Sequence, residues 1–90
     1  MAFDAEAVRA EFPILQRQVN GKPLIYLDTA ASAQKPRAVI DAMSHAMEYS
    51  YANVHRGLHT LANETTDAYE AARRKAAAFL GADEAEIVFT

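Results

Sequence analysis

Two long stretches of this 90-residue chain repeat their apolar residues every three or four positions, and alanine fills many of the repeats. Over residues 36–51 the stripe is Val39, Ile40, Met43, Met47 and Tyr51. Over residues 60–80 it is Leu61, Thr65, Ala68, Ala72, Ala76 and Phe79. A period near 3.6 predicts two amphipathic helices with these residues on their inner faces. Pro36 suits the first position of the earlier helix. Gly81 is placed to end the later one in a left-handed cap. A short third helix is predicted over residues 5–11, where Asp4 can cap it, Val8 and Phe12 stand four apart, and Pro13 stops it.

Composition limits what these helices can do alone. Twenty of the residues are alanine, which leaves 26 larger apolar side chains. Alanine favours helix and lets helices approach closely, but it buries little area. The core available to the chain is therefore thin, and the helices are expected to dock on something else.

Extended structure is expected in short pieces. Asn20-Gly21 is a hairpin turn signal between a strand at 18–19 and a second at 24–27. Residues 28–34 and 52–59 read as loops, and Ile87-Val88-Phe89 opens a strand over 87–90. The fold class is α-rich α/β, with no internal repeat and no domain boundary. A strand must pair its backbone groups, and one pair of strands is a weak sheet. The unfinished strand at Thr90 is therefore read as part of a longer polypeptide.

Several function classes are disfavoured. The net charge is −3, with no basic stripe interleaved with aromatics, so a nucleic-acid partner is not expected. The Arg73-Arg74-Lys75 run reads as a solvated helix face, with Glu70 and Arg74 as an i,i+4 pair. There is no cysteine, hence no disulfide and no thiol nucleophile in this stretch. Met1-Ala2-Phe3-Asp4-Ala5-Glu6 has neither a basic nor an apolar region of a signal peptide, and no apolar run is long enough for a membrane span. A cytoplasmic location is the expectation. His55 and His59 stand four apart, but Arg56 follows where a zinc-protease helix has glutamate, so a metal site is not expected.

Two segments carry a resemblance. One is Tyr26-Leu27-Asp28-Thr29-Ala30-Ala31-Ser32-Ala33-Gln34-Lys35-Pro36; the other is Asn53-Val54-His55-Arg56-Gly57-Leu58-His59-Thr60-Leu61-Ala62. Both resemble stretches of SufS-type cysteine desulfurases, which are close relatives of the selenocysteine lyases. Val8-Arg9-Ala10-Glu11-Phe12-Pro13, Asn20-Gly21 and Glu86-Ile87-Val88-Phe89-Thr90 extend the likeness over nearly the whole chain.

The resemblance implies the N-terminal piece of a fold-type I, pyridoxal-phosphate-dependent transferase of the class V aminotransferase family, a homodimer at full length. Its reaction takes L-cysteine, or L-selenocysteine, to alanine, and passes the sulfur as a persulfide to an acceptor protein for iron–sulfur cluster assembly. The cofactor's phosphate loop, its Schiff-base lysine and the nucleophilic cysteine would all follow a segment like Val88-Phe89-Thr90. The 90 residues alone are accordingly expected to be inactive and to hold no cofactor. A stand-alone helical module that docks on a desulfurase or a sulfur acceptor is the alternative.

Within the chain, the resemblance places Ala30 and Ala31 beside the substrate, where small side chains let backbone come close. It places His55 and Arg56 in a loop that reaches toward the partner subunit's active site, and an arginine fork suits a carboxylate. Otherwise these residues read as a tight turn and as a surface ion pair with a helix-flanking histidine. Lys22, Lys35 and Lys75 all lie in polar surroundings, unlike a desolvated Schiff-base lysine.

Overall fold

The computed structural model describes residues 2–90. Its architecture is α-rich, with three α-helices, two 3₁₀ turns and one two-stranded antiparallel sheet. The helices are α1 (Ala5–Ala10), α2 (Arg37–Tyr49) and α3 (Thr60–Leu80). The strands are β1 (Gln18–Val19) and β2 (Lys22–Pro23). The chain forms two compact units, one running to Ser44 and the other from His45 to Thr90.

In the first unit, the Asp4 carboxylate accepts the Ala7 N–H at 3.1 Å and caps α1. A 3₁₀ turn, Pro13–Gln16, follows α1. Asn20 and Gly21 both take positive φ, 54° and 74°. That is the requirement of a two-residue turn that follows the right-handed twist of the strands. The register pairs Val19 with Lys22 and Gln18 with Pro23. The second strand therefore begins right after the turn, and residues 24–27 carry no ladder, contrary to the sequence expectation. Cross-strand bonding ends at Leu24, whose N–H donates to the Arg17 carbonyl at 3.2 Å; Arg9 Nη2 then donates to the Leu24 carbonyl at 2.6 Å and to the Leu15 carbonyl at 3.1 Å. The Arg37 N–H, at the start of α2, donates to the Glu11 carbonyl at 2.8 Å.

The second unit is organised by α3. The His59 ring caps it, with Nδ1 accepting the Ala62 N–H at 3.3 Å. Gly81 ends it at φ 67° and ψ 31°, the left-handed cap that the sequence predicts. The predicted inner face is rotated, however. Ala62 and Ala77 are the buried apolar residues, whereas Phe79 is 89% exposed and Ala68 and Ala72 are exposed as well. The covered face instead carries Ala62, Thr66, Tyr69, Glu70, Arg73 and Ala77. The reason is local. The connections that flank α3 lie on that side, and they bind it through hydrogen bonds and aromatic contacts rather than aliphatic packing. Residues 87–90 likewise form no strand ladder. They are held by side chains of α3: Arg73 donates to the Ile87 carbonyl, and Phe89 packs edge-on against Tyr69 at 4.9 Å.

The helix α2 ends at Tyr49, two residues before the predicted limit. The Ser50 carbonyl there accepts from Thr65 Oγ1 at 2.5 Å. The α2 stripe has no buried member; Val39, Met43 and Met47 are all exposed. No helix among the described residues is long and apolar enough to cross a membrane.

Candidate functional site

Ala30 and Ala31 lie together in one turn of the first unit, residues 29–31, and both are exposed. The Asp28 carbonyl closes the turn by accepting the Ala31 and Ser32 N–H groups at 3.1 and 3.2 Å. The Tyr26 hydroxyl spans it, donating to the Ser32 carbonyl at 2.5 Å and standing 3.3 Å from that of Asp28. The phenol thus holds both ends of a segment in which Thr29 is followed by two methyl side chains. Beside the turn is an open cleft of about 340 Å³, lined by Arg9, Phe12, Leu15, Tyr26, Thr29 and Gln34 among others. Thr29 is the residue of the turn that lines this cleft, and the alanine of the lining is Ala33 rather than Ala30 or Ala31.

His55 and Arg56 share a turn in the second unit, residues 54–56. His55 has φ 62°, a left-handed conformation that non-glycine residues seldom take. Three contacts hold it there. Its N–H donates to Thr66 Oγ1 at 2.8 Å. Its ring Nε2 donates to Glu70 Oε1 at 2.7 Å. Tyr69 meets the ring edge-on, with centroids 5.5 Å apart. Gly57 then lets the chain pass against α3, since a Cβ there would collide with the Ala62 Cβ. Arg56 is exposed and makes no hydrogen bond or ion pair among the described residues.

Glu70 is the hub of this cluster. Its second oxygen accepts Arg73 Nε at 3.0 Å. The predicted Glu70–Arg74 pair is thus replaced by an i,i+3 pair with Arg73, because Arg73 stands on the covered face while Arg74 stays solvated. The guanidinium of Arg73 lies 5.0 Å from the Phe89 ring and 5.5 Å from that of Tyr69. The His55 hydrogen bond is the largest cause holding the Glu70 carboxyl below its ordinary pKa; partial burial opposes it, and Arg73 adds to it. Sequence reading passed over Thr66, Tyr69, Glu70 and Arg73 as a site. Their i, i+3, i+4, i+7 spacing was the available signal.

His55 and His59 are each engaged, one by Glu70 and the other by the Ala62 N–H. Lys22, Lys35 and Lys75 are exposed, and Lys35 Nζ donates to the Ala33 carbonyl at 2.7 Å. None of the three has the desolvated setting that a Schiff-base lysine requires.

These turns sit in a chain that belongs to the aminotransferase class-V family, whose match runs over residues 25–90. Among individual proteins, the chain is 58% identical over 88 residues to a cysteine desulfurase of Klebsiella pneumoniae subsp. pneumoniae, covering 98% of this chain and 22% of that protein. A cysteine desulfurase of Serratia proteamaculans is 58% identical over 90 residues, again with 22% of its length covered. Among solved structures, the apo cysteine desulfurase from Thermococcus onnurineus NA1 superposes with a TM-score of 0.77 at 38% identity, over 100% of this chain and 21% of that one. The chain thus spans about a fifth of the length of the relatives it matches.

Proposed function

We propose that this chain is the N-terminal, substrate-side segment of a pyridoxal-phosphate-dependent cysteine desulfurase. The likeness to named cysteine desulfurases along nearly the whole chain carries the reading. The parent enzyme takes L-cysteine to alanine and delivers the sulfur to an acceptor protein for iron–sulfur assembly, as a cytoplasmic homodimer; L-selenocysteine is a second substrate of the same shape. When bound, the cofactor supplies the electron sink. The residues of this chain do not fit it as its holders, because its three lysines are exposed and no desolvated amine is available.

What this chain contributes is positioning. The Ala30–Ala31 turn offers the substrate a close approach, held open by Tyr26. Arg56 offers a fork of donors suited to the substrate carboxylate or to the facing subunit's site. By itself the chain turns nothing over, since desulfuration by this route also needs a thiolate and the sequence has no cysteine.

The test is a chimera in which this chain replaces the matching segment of the Klebsiella pneumoniae enzyme. The chimera should release alanine from L-cysteine, and Arg56→Ala should slow it while leaving the cofactor's visible absorbance in place. A folded, cofactor-loaded chimera that forms no alanine contradicts the reading.

A further inference from the structure

We propose that Glu70 is a positioning residue for Arg56, acting through His55. The inference deepens the function proposed above and rests on it for what Arg56 does. Its physical basis is the arrangement of the second unit.

Arg56 has no side-chain partner among the described residues, so what the fold fixes is the point and the Cα–Cβ direction from which its side chain starts, through the backbone of the 54–56 turn. That backbone is in an unfavourable state. His55 sits at φ 62°, where its own Cβ crowds the following carbonyl. A conformation of this kind persists only when surrounding contacts over-determine it. The contacts are the Thr66 hydroxyl on the His55 N–H, and Glu70 on the His55 ring. The first holds the main chain at one atom. The second holds the far end of the side chain, so the pair fixes rotation of the turn as well as its place.

Glu70 differs from an ordinary surface partner in how its two oxygens are divided. Oε1 takes the His55 ring at 2.7 Å, and Oε2 takes Arg73 at 3.0 Å. Arg73 in turn donates to the Ile87 carbonyl and faces the Phe89 ring. One carboxylate therefore ties the Arg56 turn and the 87–89 segment to a single turn of α3. The Glu70 side chain is 32% exposed and that of Arg73 22%, so water competes only partly for these bonds.

Two measurements test the proposal. On the 90-residue chain, amide exchange is compared for wild type, Glu70→Gln and Thr66→Ala. Glu70→Gln keeps the side-chain shape and removes the charge. It should leave helical circular dichroism unchanged while exchange of the His55 amide speeds up about tenfold, a local opening rather than global unfolding. Thr66→Ala should do the same at the His55 amide and leaves the Glu70–Arg73 pair in place. Unchanged exchange of the His55 amide in Glu70→Gln overturns the proposal.

In the chimera, Glu70→Gln, Arg56→Ala and the double variant form a cycle. If Glu70 acts by placing Arg56, Glu70→Gln raises KM more than it lowers kcat, and the double variant is no worse than Arg56→Ala alone. Losses that multiply independently overturn it. If Arg56→Ala leaves turnover unaltered, it is the substrate-facing role of Arg56 that falls, and the exchange experiment decides the hold of Glu70 on the turn.

Discussion

The His55 imidazole and the Glu70 carboxylate, fifteen positions apart in sequence, meet at 2.7 Å and fasten a left-handed turn to the middle of α3. The turn carries an exposed arginine, and the helix carries the groups that hold it.

The contact depends on an ionised Glu70. Its folded-state pKa is lowered, chiefly by the His55 hydrogen bond, so it favours the folded turn above the ordinary carboxylate pKa. As pH falls below the ordinary value the contribution declines, and it is gone below the lowered one. A carboxyl titration by NMR should therefore place Glu70 below the ordinary glutamate value, with protection of the His55 amide, taken relative to its intrinsic exchange rate at each pH, falling over the same acidic range. Glu70 titrating at or above the ordinary glutamate value would contradict this.

Gly57 gives a second expectation. Its backbone passes so close to α3 that an added methyl would collide with Ala62, a fully buried residue with no room to move. Gly57→Ala should destabilise the second unit by about 1–3 kcal/mol, the usual range for forced overpacking. Gly21→Ala, where open space surrounds the position, meets no such collision and pays only for its positive φ. Thermal or denaturant unfolding of both variants checks the order of the two losses. An undisturbed Gly57→Ala would show that the 54–58 segment does not press on α3 as described.

Sequence legibility divides along a physical line. The helices were readable because alanine, the 3.6 period, Asp4 and Gly81 all act within a few residues of themselves. The hairpin turn was readable from Asn20-Gly21 for the same reason. The strand at 24–27 was misplaced because turn closure moved the pairing forward to Lys22–Pro23. The inner face of α3 was misjudged because it was assigned by apolarity, whereas the residues that cover the helix hold on to a polar and aromatic stripe. His55 and Arg56 could be singled out by resemblance and by residue type. That Glu70 and Thr66 fix them is a matter of approach across eleven to fifteen residues, which spacing alone does not disclose.

A third expectation concerns the chain in isolation. Among the described residues only Ala62 and Ala77 of the apolar side chains are buried, and side chains as large as Phe3, Leu58 and Phe79 are largely exposed. At about 25 cal/mol per Å² so little buried area leaves scant surplus over chain entropy. Circular dichroism should show helix with a broad, weak thermal transition. A sharp transition at high temperature would reveal packing that these exposures do not account for.

The most direct test of the account is alanine formation from L-cysteine with pyridoxal phosphate, measured side by side for the isolated chain and for the chimera. After borohydride reduction of the isolated chain, mass spectrometry should find no stoichiometric pyridoxyl adduct at Lys22, Lys35 or Lys75, whose amines are all exposed. The account predicts alanine from the chimera, none from the chain, and scattered substoichiometric labelling at most. Alanine from the chain together with one fully labelled lysine would contradict it, and so would a loaded chimera that makes none.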